Sequence, residues 1–184
     1  QAIFDSLTIG ADRWFSINLA SNRGLIIGTY LVDLAQTDLS KTTVVLCVAV
    51  PKIRSYFERD LMSIAKYTGV KIMSVGSEVP EDVQLTEKPN IVIASIEMVV
   101  RLQQQLELSE VEVVYFDEVE KTIRDAEDAF VNFVNGHAFP QVVLQSSYYS
   151  ESLIESIHRC KPDLDPTRLF KHHSNVPALY TARL

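Results

Sequence analysis

Apolar positions along the chain keep two alternating rhythms. Short, nearly continuous apolar runs rich in β-branched and aromatic residues recur at 14–18, 42–49, 70–75, 90–94, 111–116 and 141–145. Runs of that length and continuity read as strands buried on both faces. Between most of them lie stretches with helical spacing. Residues 54–67 carry Tyr56, Phe57, Leu61, Ile64 and Ala65 on one stripe, and Gly69 follows as a stop. Residues 24–35, 97–106, 118–134 and 151–158 also predict helices. Asn135-Gly136 terminates the helix at 118–134, and Ser150 caps the one at 151–158. Strands alternating with helices predict βαβ units, hence an α/β fold whose parallel sheet is covered by helices on both faces. The chain shows no repeat and no low-complexity tract. Beyond Lys161-Pro162 it turns polar, with a weak strand signal at 168–171.

With 184 residues, 47% hydrophobic and 22% charged, the chain suits one domain with a sizeable core. No apolar run is long enough to cross a bilayer. Gln1-Ala2-Ile3 reads as an internal start, so any targeting segment lies beyond this sequence. The net charge of −7 argues against a diffuse nucleic-acid footprint but leaves room for a local basic edge. Cys47 and Cys160 form neither a disulfide framework nor a metal motif and read as reduced thiols of an intracellular protein. His172-His173 would point to opposite faces of a strand, which disfavours a shared metal.

The most chemically loaded stretch closes one of these strands. Val111 to Phe116 leads into Asp117-Glu118-Val119-Glu120. Acids at the carboxyl end of a strand in an open α/β sheet sit on the edge where such sheets bind ligands. In nucleotide hydrolases one such acid holds magnesium and the other handles the attacking water. Asp117 and Glu118 are therefore the candidate catalytic residues, with Asp117 the candidate magnesium ligand. The same acids would equally suit the N-terminus of the following helix through its macrodipole, with no catalysis at all. Trp14 and Tyr148-Tyr149 read as packing or partner-facing residues, and Asp125 to Asp128 as a solvated helix face.

Further motifs stand around this stretch in a fixed order. Ala2-Ile3, Leu7 and Gly10-Ala11-Asp12 come first. Then follow Val44 to Val50 with Pro51-Lys52-Ile53-Arg54, Val75-Gly76-Ser77, and Ala94-Ser95-Ile96-Glu97-Met98-Val99 with Arg101-Leu102. Phe116 to Glu120 and Leu144-Gln145-Ser146-Ser147 complete the series. In this order they resemble the first RecA-like domain of the DEAD-box RNA helicases of superfamily two. The matched segments are the one ahead of the phosphate loop, "PTRE", the glycine doublet, "TPGRL", "DEAD" and "SAT". The resemblance covers roughly residues 1–172 and implies a RecA-like domain there. Residues 173–184 would be a tail or linker toward a second RecA-like domain. The resemblance implies RNA contacts from Pro51, Lys52, Arg54, Gly76, Ser95 and Arg101. It also implies coupling between nucleotide and RNA sites through Ser146 and Ser147.

The departures are as informative as the matches. A phosphate loop needs glycines for close backbone approach, a lysine for the phosphates and a hydroxyl for magnesium. The place for it is Ala20-Ser21-Asn22-Arg23-Gly24-Leu25-Ile26-Ile27, where aliphatic side chains stand at the lysine and hydroxyl positions. Arg23 and Gly24 are what remain for a nucleotide. A second stretch, Ala35 to Thr42, copies the outer letters of "AQTGSGKT" and would offer Lys41 and Thr42. There Asp38 adds a like charge. Thr42 also runs straight into a strand, leaving no room for the helix whose N-terminus must face the phosphates. Val119 and Glu120 replace the family's alanine and aspartate, and Gln145 replaces its first serine of motif three.

These losses predict a degenerate helicase domain with weak or absent ATP hydrolysis, serving as a binding platform for RNA or protein in a ribonucleoprotein assembly. Divergent helicase-like regions of this kind occur in Tudor-domain factors of the germline small-RNA (piRNA) pathway, a looser resemblance. No cofactor is expected; an active form would use magnesium-ATP. The expected partners are proteins, RNA and the second RecA-like domain, with no membrane. The expected location is the cytoplasm or a ribonucleoprotein granule. Two other classes stay open. One is an active ATP-dependent RNA helicase in which Lys41 or Arg23 replaces the missing lysine. The other is a structural interaction domain that binds neither ATP nor RNA.

Overall fold

The computed structural model describes residues 7, 10–16, 23–76, 85 and 87–166. Ala2-Ile3, residues 17–22, Ser77, the strand signal at 168–171, His172-His173 and residues 173–184 lie outside these residues, as does the side chain of Arg23.

The strands are β1 (Arg13–Ser16), β2 (Val44–Val48), β3 (Ile72–Ser74), β4 (Ile91–Ala94), β5 (Val113–Asp117) and β6 (Gln141–Ser146). They form one six-stranded sheet in the order β1-β6-β5-β2-β4-β3, and all pairs are parallel. The helices are α1 (Arg23–Ala35), α2 (Pro51–Ala65), α3 (Ile96–Leu102), α4 (Val119–Gly136) and α5 (Glu151–His158). Each strand overlaps a segment that the pattern predicts. Two helix boundaries differ from it for physical reasons. α2 starts at Pro51, ahead of its apolar stripe, because proline's fixed φ and missing N–H suit the first helical position. α3 stops at Leu102, short of the expected 106, and the chain turns through a left-handed Glu107 (φ 46°) into a 3-10 turn at Leu108–Glu110.

The buried strands explain the uninterrupted apolar runs. In β2, Val44, Leu46 and Val48 face one side of the sheet while Val45 and Cys47 face the other; β5 divides Val113 and Tyr115 from Val114 and Phe116 in the same way. The first set packs against Ile27 and Leu31 of α1 and Phe57 and Leu61 of α2. The second packs against Val99 and Leu102 of α3, Phe130 and Val134 of α4, and Ile157 of α5. Each such side chain, fully buried, stabilises the fold by about 1.5–3 kcal/mol.

Buried polar groups fix the strand ends. Gln141 donates to the carbonyls of Leu7 and Ala11 at 3.1 and 2.8 Å and accepts from the Tyr30 hydroxyl at 2.5 Å. One buried amide thus ties the N-terminal segment, α1 and β6 together. Asp12 accepts from the Val142 amide at 2.7 Å and pairs with Lys161 at 2.8 Å. Among the described residues no helix is long and apolar enough to cross a membrane.

Candidate functional site

The register brings the functional motifs to one edge. Val48 lies opposite Asp117, Cys47 opposite Ala94, Phe116 opposite Leu144, and Ser16 opposite Ser146, all near the carboxyl ends of parallel strands. Asp117 is the last residue of β5 and is buried. Glu118 follows in a left-handed conformation (φ 48°, ψ 57°) and is only 2% exposed. A non-glycine residue there costs roughly 1–2 kcal/mol. Two contacts hold it in place. Its N–H donates to Gln145 Oε1 at 2.8 Å, and its carboxylate accepts from Lys121 Nζ at 2.6 Å.

Motif three meets motif two through atoms other than the expected hydroxyls. Gln145 makes the link to Glu118. Ser147 makes one to Glu120, with its backbone N–H donating to Glu120 Oε1 at 3.0 Å. The Ser146 hydroxyl accepts from Trp14 Nε1 at 3.0 Å, so it joins β6 to β1. Trp14 also packs edge-on against Tyr149 at 5.3 Å. The longer side chain of Glu120, where the family has aspartate, is what reaches the Ser147 amide.

The nucleotide side is poorly furnished. α1 is the helix after β1, and it opens with Arg23-Gly24-Leu25-Ile26. Leu25 is 49% and Ile26 37% exposed. Gly24 lies inside the helix, where its missing Cβ lets α2 approach: a Cβ would stand 2.7 Å from Asp60 Oδ2. Lys41 precedes β2 by three residues, at the amino edge of the sheet. At about 3.3 Å per residue it sits roughly 23 Å along the strand direction from the register of Asp117. Its ammonium pairs with Asp38 at 3.0 Å. Hydrogen bonds from the Ser40 hydroxyl and amide, with Lys41, hold Asp38 down to about 2, and Asp38 in turn raises Lys41. Lys41 and Asp117 therefore do not share a ligand. Among the described residues Glu118 is tied to Lys121, and the first turn of α1 presents the aliphatic Leu25 and Ile26. Among the described residues no group of three or more His, Cys, Asp or Glu side chains could hold a metal ion. The two thiols add no nucleophile, since burial raises both Cys47 and Cys160 above the ordinary thiol value.

Four of the six residues that the resemblance assigns to RNA come together. Pro51, Arg54, Ser95 and Arg101 line one cleft of about 330 Å³. Ser95 caps α3, its hydroxyl accepting from the Met98 amide at 3.4 Å. Arg54 reaches across to β3, where Nη1 donates to the Val75 carbonyl at 3.2 Å. Gly76 makes room for that guanidinium, since a Cβ there would fall 2.9 Å from Arg54 Nη2. Lys52 is exposed on the first turn of α2 and Arg101 on the last turn of α3. Glu97 also lines the cleft and opposes an anionic ligand.

Lys121, the amide of Gln145, the Trp14 indole and Glu97 were not singled out as site residues by the pattern of the chain. Lys121 stands three residues after Glu118, a spacing that places two side chains side by side on a helix. Gln145 is a polar residue in an apolar strand, which has to find a partner when buried.

No protein-family model matches the chain, and no curated protein matches it in sequence. Solved structures match in fold. A DEAD box protein from the hyperthermophile Methanococcus jannaschii superposes with a TM-score of 0.77 at 11% identity, covering 89% of this chain and 47% of that one. A hypothetical ATP-dependent RNA helicase from Sulfolobus tokodaii gives 0.73 at 14%, covering 89% and 49%. Dbp5 of S. cerevisiae, in a structure with Gle1 and IP6, gives 0.74 at 10%, covering 88% and 42%. The chain spans less than half the length of these proteins. Its six-stranded parallel sheet, helix-covered on both faces, has the RecA-like fold of these structures.

Proposed function

We propose that this chain is a degenerate helicase domain with weak or absent ATP hydrolysis, acting as a binding platform for RNA or protein in a ribonucleoprotein assembly of the germline small-RNA type. One observation carries the reading. The first turn of α1 presents Leu25 and Ile26 where a phosphate-binding helix needs an amine and a hydroxyl. Aliphatic side chains neither donate to phosphate nor ligate magnesium. The cleft of Pro51, Arg54, Ser95 and Arg101 supports the RNA arm, with phosphates meeting Arg101 in the cleft and Lys52 exposed on the first turn of α2. A second RecA-like domain in the full-length protein would close over this edge.

The test is calorimetric titration of ATP and ADP, each with magnesium, into the domain. No heat at millimolar nucleotide and an unshifted melting temperature are expected. Micromolar binding abolished by Asp117→Ala would overturn the reading in favour of an active helicase. For the RNA arm, a single-stranded oligouridylate should bind without ATP, more weakly in high salt and more weakly still in Lys52→Glu and Arg101→Glu.

A further inference from the structure

Exposed apolar side chains gather at the far end of α2, where it packs beside β3, the edge strand of the sheet. A groove of about 310 Å³ lies there, lined by Met62, Ala65, Lys66, Gly69, Val70 and Ile72. Met62 is 49% and Tyr67 88% exposed. Leu39, also half-exposed, borders the same groove, its Cδ1 3.3 Å from where a Cβ on Gly69 would stand. Such clusters on a folded domain mark interaction surfaces more often than single exposed residues do.

The groove is held open by its own turn. Gly69 takes φ 77°, a conformation that glycine reaches without strain. Thr68 fixes the approach: its amide and hydroxyl both donate to the Ala65 carbonyl at 2.9 Å, and the hydroxyl accepts from the Val70 amide at 3.2 Å. Tyr67 stands next to the lining residue Lys66, whose ammonium lies 5.1 Å from its ring centroid.

Charge selects the occupant. The exposed face of α2 carries Arg59, Tyr56 and Met62 and no exposed carboxylate, Lys66 follows at its C-cap beside the groove, and Lys52 stands at the other end, on the first turn. Glu58 and Asp60 are half-buried, and Asp60 is held by Arg59 at 3.0 Å. On the flanking loops, Asp38 and Glu87 pair with Lys41 and Lys71. On a chain of net charge −7 this is a cationic, aromatic-flanked slot with an apolar floor. Phosphates would use the cations but leave Met62, Val70 and Ile72 without a role. A peptide with carboxylates and one bulky apolar side chain uses both. We propose that this groove docks a short acidic peptide segment of a partner protein. Its apolar anchor sits over Met62, Val70 and Ile72, and a flanking carboxylate faces Lys66. The proposal rests on the platform reading and names the chemistry of the protein partner.

The experiment is selection of a displayed library of short peptides on the intact domain, followed by fluorescence anisotropy with the resynthesised winners. Enriched sequences should carry a leucine, phenylalanine or tryptophan flanked by aspartate or glutamate. Their affinity should fall by about tenfold or more in Met62→Glu and in Lys66→Glu, and weaken with salt, while both variants keep the wild-type melting temperature. Tyr67→Ala, a change at an exposed residue outside the core, should weaken binding without touching the fold. Absence of enrichment, enrichment of basic peptides, or binding that survives the folded double variant would overturn the proposal. An oligouridylate that competes for Met62 and Lys66 would make the groove a nucleic-acid path, and self-association lost in Met62→Glu would make it an interface between copies; either result overturns it too. Nucleotide titration reads the opposite edge of the sheet, so failure of the ATP reading and failure of this one are separable.

Discussion

The Lys121 ammonium lies 2.6 Å from the Glu118 carboxylate, which is almost wholly buried. It supplies from within the chain a positive charge beside that carboxylate. Removing it leaves a buried carboxylate with one strong donor fewer. Lys121→Met should destabilise the domain by about 1–3 kcal/mol in urea denaturation. Glu118→Gln in that background should recover part of the loss. A double-mutant cycle should then return a coupling of about 1 kcal/mol or more. Strictly additive effects would show the ion pair to be incidental.

Gln145 makes a second claim on the same turn. Its Oε1 accepts from the N–H of the left-handed Glu118 at 2.8 Å, and the side chain is fully buried. Gln145→Leu keeps the volume but orphans that N–H, at about 1–3 kcal/mol. The strain at Glu118 then lacks its counterweight, so Glu118→Gly should stabilise the Gln145→Leu protein more than it does the wild type. Equal effects in the two backgrounds, read as shifts in urea midpoint, would refute the link.

The two glycines of α1 separate helix propensity from packing. Alanine gains about 1 kcal/mol over glycine in a helix interior. At Gly24 the added Cβ meets only the end of the Asp60 carboxylate, which can swing aside. That swing gives up the Arg59 pair, and the propensity gain is smaller in a first turn than in a helix interior, so Gly24→Ala should change stability by less than about 0.5 kcal/mol. At Gly28 the Cβ falls 2.9 Å from Ile64 Cδ1 and 3.5 Å from Leu61 Cδ2, both part of the α1–α2 contact. Overpacking there costs about 1–3 kcal/mol and exceeds the propensity gain. Gly28→Ala should lower the urea midpoint while Gly24→Ala leaves it in place.

The inner strands β2, β4, β5 and β6 were legible because each is buried on two faces, which leaves an unbroken apolar run such as Val44 to Val48. Asp117 was legible for the same reason, as the first acid after such a run. Its surroundings were not. Gln145 reaches Glu118 only because β5 and β6 pair with Phe116 opposite Leu144, a register that no local pattern encodes. Gly24 resembles a remnant of a phosphate loop, and its place in the first turn of α1 beside Asp60 could not be read from the local sequence. The groove beside Tyr67 draws on α2, β3 and the loop of Leu39, so no single stretch of sequence announces it.

Arg54 and Gly76 give the sharpest probe of the RNA-side cleft. A Cβ on Gly76 would fall 2.9 Å from Arg54 Nη2, the free end of a flexible side chain. Gly76→Ala should therefore fold, with the guanidinium displaced from the Val75 carbonyl it now meets at 3.2 Å. Losing that bond costs stability by about 0.5–1.5 kcal/mol. The charge stays on the molecule, so the slope of log affinity for oligouridylate against log salt should match wild type while the affinity itself falls. Arg54→Lys should behave alike, because a lysine keeps the charge but lacks the planar fork that spans the cleft. Arg101→Glu removes a cation outright and should flatten the slope by about one unit. A flattened slope in Gly76→Ala would mean that Arg54 contacts phosphate from its present position, and that its bond to Val75 is what presents it.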